Sequence, residues 1–245
     1  MKLLNKKTKV ATLALGSAAV LALGTTAAHA NHTVVTVGGD GSSNIIDVEG
    51  ANVNTIAFMT NYGVELRCDS SEIEGFINQG ETVAIGNVVG EITSMLFYDC
   101  TATSLNIPVT VTMDAGSFEV REHPANAGDP LEVTITGVEA HMLNVPGGGT
   151  CELWAEGSVD ATIYAGPTDG VNGAVELAAA DFGPPETGFD LDVTAGNGSG
   201  SPAASSCGGQ IETGDQAGPW YHNEATGVES RFGLDTLGAG DISHG

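Results

Sequence analysis

From residue 31 onward the chain alternates apolar and polar positions with a period of two over most of its length. Leu131, Val133 and Ile135 share one face of a single run, while Glu132, Thr134 and Thr136 share the other. Phe189, Leu191 and Val193 stand in the same relation to Asp190 and Asp192. Strands are expected over residues 33–37 and 44–48, joined by the turn Gly38-Gly39-Asp40-Gly41. Further strands are expected over 54–59, 63–68, 73–77, 83–89, 91–100, 107–113, 118–121, 131–143, 151–164, 174–177 and 189–194. Only residues 176–181 look even briefly helical, and they carry no cap.

Many short strands with close turn signals predict an all-β chain, an antiparallel β-sandwich or barrel, rather than a parallel βαβ fold. Buried parallel strands lose their polar face, and these keep it. Glycine supplies 35 of 245 residues, about twice its usual share of ~7 %. The expected organisation is a signal segment over residues 1–30, one β domain over 31–222, and a loosely held, glycine-rich tail over 223–245. Residues 195–206 read as a loop within the domain, and a split into two small halves near Gly147 is the alternative.

The first thirty residues read as an export signal. Lys2, Lys6, Lys7 and Lys9 precede an uncharged apolar run over 10–23, and Ala28-His29-Ala30 offers small residues at the positions a signal peptidase reads. The run is short for a membrane span, which needs about 20 residues. The expected product is therefore a secreted, extracellular or surface-associated protein beginning at Asn31. Beyond residue 30 only Arg67, Arg121 and Arg231 are basic, against 31 acids, a formal −28. Such a field repels nucleic acid and anionic lipid, and suits cations, basic proteins or cell-surface polymers as partners.

An even count of four cysteines, Cys68, Cys100, Cys151 and Cys207, points in an exported chain to two disulfides. Their spacing is far too wide for a zinc site of CxxC type. Three pairings are open. Sequential pairing, Cys68–Cys100 and Cys151–Cys207, is the expected one because it staples each half separately. The segments LRC (66–68), GEITSMLFYDCT (90–101), EVTITGVEAH (132–141), CELWAEG (151–157) and SCGGQIETGD (206–215) resemble small secreted β-rich proteins of actinobacteria. The resemblance implies the same two sequential disulfides and a β-sandwich, and it implies no activity.

Local catalytic signatures are lacking. Ser199 lies in Asn-Gly-Ser-Gly-Ser, without the glycine offsets of a nucleophile elbow, and no HExxH occurs. His123 and His141 each stand alone in the sequence. The pairs Asp190/Asp192 and Glu72/Glu74 share a strand face, as i, i+2 acids do in any acidic strand, although two carboxylates suffice for glycoside hydrolysis. Trp154 is expected to pack near a disulfide, whereas Trp220 and Tyr221, after Gly218-Pro219, are expected to be exposed and are the candidate binding residues. Calcium is the one candidate cofactor, at the turns 38–42 and 169–172, but neither turn matches an EF-hand loop. Together these features favour a secreted non-enzymatic structural, adhesive or binding protein. The alternative is a secreted hydrolase acting on polysaccharide or ester.

Overall fold

A computed structural model describes residues 34–38, 44–103, 107–122, 124, 126, 128–144, 152–168, 170–182, 186–194, 211, 213–223 and 225–244. The segment 1–30, the loop 195–206, Cys151 and Cys207 lie outside the described residues. Among the described residues there are thirteen strands and no helix, and every strand pairing is antiparallel. Residues 176–181 are accordingly the end of a strand and an irregular segment.

Five long strands form the frame: β4 (Glu65–Gln79), β5 (Val88–Ala102), β6 (Ile107–Glu122), β7 (Leu131–Asn144) and β8 (Glu152–Thr168), each paired with the next. Shorter strands flank them: β1 (Val35–Val37), β2 (Asn44–Asn52), β3 (Ile56–Thr60), β9 (Val171–Leu177), β10 (Leu191–Thr194), β11 (Gln216–Asn223), β12 (Val228–Asp235) and β13 (Ile242–His244). The outer strands of the frame change neighbours along their length. The first residues of β4 pair with β3, and its second half pairs with β2. The start of β8 pairs with β10, and its end pairs with β9.

Two bridges then join β8 back to β4, one through β9, β12 and β2, the other through β10, β11 and β3. Each bridge completes a circuit of eight strands, and Tyr221↔Glu229 ties the bridges to each other. The changeover on β8 falls at Gly157, where an added Cβ would lie 2.0 Å from the Asp190 carbonyl oxygen. Only glycine lets β10 approach that closely.

Alternation decides which side of each strand is buried. On β8, Leu153, Ala155, Val159, Ala161 and Ile163 are buried, while Glu152 and Glu156 are exposed. The rings of Phe58, Phe97 and Phe232 cross the interior edge to face at 5.7 and 6.4 Å. On one side of this row Val48, Ile73, Ile77, Leu131, Ile163 and Leu234 meet Val35 and Ile242 from the β1–β13 pair, leaving only about 10 Å3 unfilled. A void this small is ordinary in a close-packed protein interior.

Cys68 and Cys100 stand directly opposite on β4 and β5, Cα atoms 3.9 Å apart, and form a disulfide with both residues buried. The expected runs 63–68 and 73–77 are parts of one strand, as are 107–113 and 118–121. Most of 83–89 is the connection between β4 and β5. Residues 223–245 differ most from expectation. Instead of a loose tail they supply β12, which lies between β2 and β9 with Phe232 0 % and Leu234 2 % exposed, and β13, which pairs with β1. Apolar burial on this scale holds a segment far more firmly than its glycine content suggests.

Candidate functional site

The outward faces of β6 to β9 and β12 carry a polar lattice. Arg121 donates to Asp160 at 2.5 Å and to Glu132 at 2.6 Å, while the Thr134 and Thr162 hydroxyls donate to the same two carboxylates. Arg231 lies over the Tyr164 ring, 4.4 Å from its centroid, and 3.8 Å from Glu176. The Tyr164 hydroxyl donates to Glu176 at 2.8 Å. Burial first, and then that carboxylate, push the phenol up to about 12. Burial likewise raises Glu229, against the opposing effect of the Ala179 amide that donates to it.

A second outward row runs in one register from Glu49 through Glu74, Ser94, Asp114, Glu139 and Glu156 to Asp192. Its six carboxylates are all exposed, and like charges side by side oppose folding. No group of three His, Cys, Asp or Glu residues is arranged to hold a metal among the described residues. Of the two calcium turns, residues 39–43 and Asp169 lie outside the described residues. Asn172 is committed elsewhere, accepting from the Thr236 amide and hydroxyl and donating to Asp241.

The remaining candidates do not converge. Glu72 and Glu74 face outward on β4, with Glu72 accepting from the Tyr98 hydroxyl. Asp190 and Asp192 are exposed, and Asp192 accepts from the Gln216 side chain at 3.3 Å. His141 stacks on Trp154 with centroids 4.0 Å apart, and its Nε2 lies 3.1 Å from Glu152, all on the outer face. Trp154 thus packs on a histidine, and Cys151 lies outside the described residues, as do Ser199 and His123.

Trp220, expected to be exposed, is 6 % exposed. It lies with Ala57, Ala180 and Phe189, and its ring meets Phe182 and Tyr221 edge to face. Tyr221 is half-buried beside it. Gly218-Pro219 makes no turn here because it sits inside β11. Pro219 falls where β11 leaves β10 and has not yet met β12, so its missing N–H costs no ladder bond, and its carbonyl accepts from Ala180. The segment carrying Ala180, Phe182 and Phe189 then covers the indole.

One apolar concavity lies inside the second circuit. On that side of the phenylalanine row the interior keeps a half-open cavity of about 70 Å3. Phe58, Val64, Leu66, Val111, Leu153, Leu191, Val193 and Ile211 supply much of its wall. Four alanines, Ala102, Ala140, Ala155 and Ala217, are among its lining, whereas no alanine lines the packed half, where Ile73, Ile77, Leu131, Ile163 and Leu234 meet. Ala140 and Ala155 are direct partners on β7 and β8. Met59, Met113 and Met142 complete the lining, three of the four methionines beyond residue 30. Among the described residues the only polar side chain in the wall is Thr60, whose hydroxyl oxygen accepts the Val64 amide at 3.1 Å. Among the described residues its wall carries no carboxylate, histidine or basic side chain, and such a space holds apolar matter in preference to water. The chain matches no family model, no curated protein and no solved structure.

Proposed function

We propose that the chain is an exported, non-enzymatic binding protein, built as a closed antiparallel barrel that keeps its charge outside and receives an apolar ligand within. The half-open apolar cavity of the second circuit carries this reading. Pockets that bind without transforming are typically apolar and largely preformed, and this one is framed by paired strands rather than by loops alone. The two strand circuits support the barrel, and the basic, apolar and small-residue succession over 1–30 supports export. A second disulfide, Cys151–Cys207, belongs to the same proposal. In the sequence Cys151 immediately precedes β8, and Cys207 lies four residues before Ile211.

Mass analysis of protein from culture medium should give Asn31 as the first residue. The same preparation should show no turnover on polysaccharides or esters, and should release apolar compounds into organic extracts. Sustained hydrolysis of any such substrate would overturn the binding reading in favour of a hydrolase.

A further inference from the structure

We infer that the cavity accepts a small uncharged hydrocarbon, admitted by movement of the methionine side chains; the inference rests on the binding reading above and names its ligand class. Anions are disfavoured twice, and cations by the interior alone. A formal −28 beyond residue 30 repels anions before contact. Inside, a carboxylate or ammonium would meet at most one hydroxyl, because among the described residues Thr60 is the only polar side chain in the wall, too little to replace the hydration of a full charge.

Size is set by the four alanines. About 70 Å3 admits a xenon atom or a few carbons as it stands, whereas an engineered cavity of about 150 Å3 holds benzene. Methionine supplies the difference. Its unbranched thioether changes rotamer at little cost and stays in contact with whatever fills the space. Met59, Met113 and Met142 approach from β3, β6 and β7, so the ligand sits among three adjustable side chains on three strands. Met95 is 1 % exposed but does not line the cavity, which makes it an internal reference.

The test uses protein carrying carbon-13 methionine methyl groups, titrated in turn with xenon, benzene and benzoate. Xenon and benzene should shift the methyl resonances of Met59, Met113 and Met142 and leave Met95 in place, while benzoate at equal concentration should shift none. Replacing Ala155→Leu, or separately Ala140→Leu, should abolish the benzene response at least tenfold in affinity while the folded spectrum persists. If benzoate matched benzene, the restriction to uncharged ligands would fall and the binding reading would stand. If neither xenon nor benzene moved the three methyls, the cavity would not be the site, a result separate from the hydrolysis screen. An undiminished response in both folded leucine variants would likewise place the ligand elsewhere.

Discussion

Removing the Cys68–Cys100 bridge isolates one constraint whose size can be worked out in advance. The bridge closes a loop of sequence separation 32 that contains most of β4 and β5. In the chain-entropy treatment, opening such a loop in the denatured state costs roughly 3.5–4 kcal/mol of stability. Alanine at both positions is the appropriate replacement, since serine would bury two hydroxyls at sites 0 % and 2 % exposed. For a domain of this size each kcal/mol lowers the melting temperature by about 2–4 °C, so the double variant should melt roughly 7–15 °C lower.

Urea titration should give the same loss as a shifted midpoint. Because the bridge acts mainly on the unfolded chain, the deficit should appear in the folding limb of a chevron if the β4–β5 pair forms early. A loss below about 1 kcal/mol would refute the reasoning. It would mean that the unfolded chain already keeps β4 and β5 together without the sulfurs.

Glu229 should make stability depend on pH. Its folded carboxyl is raised above the ordinary glutamate value, so its protonated form favours the fold; stability is fully present below the unfolded value and falls as pH rises through the folded one. Glu229→Gln keeps an oxygen for the Ala179 amide and should flatten the fall in melting temperature above about pH 4; an unchanged pH profile would remove Glu229 as its source. Screening should act on the carboxylate row, and the melting temperature should rise with sodium chloride from 0.01 to 0.1 M, as the Debye length falls from ~30 to ~10 Å. Calcium should exceed matched ionic strength only if a true calcium site exists, and equal shifts would dispose of that candidate.

What was legible in the sequence is what strict alternation carries. Residues 131–136 and most of β8 keep one phase, so these runs and their buried faces could be read directly, although β7 shifts phase at Gly137, after which Val138 and Met142 turn inward. In β4 the phase shifts, with Cys68 buried and then Ser71 and Ile73 buried. In β6 Val109, Val111 and Met113 turn inward, and then Gly116, Phe118 and Val120. A phase shift looks like a break between two strands when only the sequence is read. β12 escaped notice for a different reason. Its inward series is Ser230, Phe232 and Leu234, and a polar residue at the first position hides the pattern. Ser230 is fully buried because it accepts from the Ala57 amide and donates to the Trp220 carbonyl, which joins β12 to β3 and β11.

The cavity lay beyond sequence reading altogether. It is volume that is missing at Ala102, Ala140, Ala155 and Ala217, four positions far apart in the chain and unremarkable one at a time. Trp220 was misplaced because Gly-Pro was taken as a turn, when its position between two strand partners made it part of β11.

The placement of β12 has a consequence for how the protein comes into being. Synthesis proceeds from the N-terminus, yet the strand that fills the gap between β2 and β9 is among the last made. A nascent chain lacking residues 228–235 leaves β2 and β9 with unpaired hydrogen-bonding edges and exposes the side of the core that Phe232 and Leu234 cover. Completion of the first circuit therefore waits for the C-terminus to emerge. Until those strands are made, the first circuit stays open along the facing edges of β2 and β9.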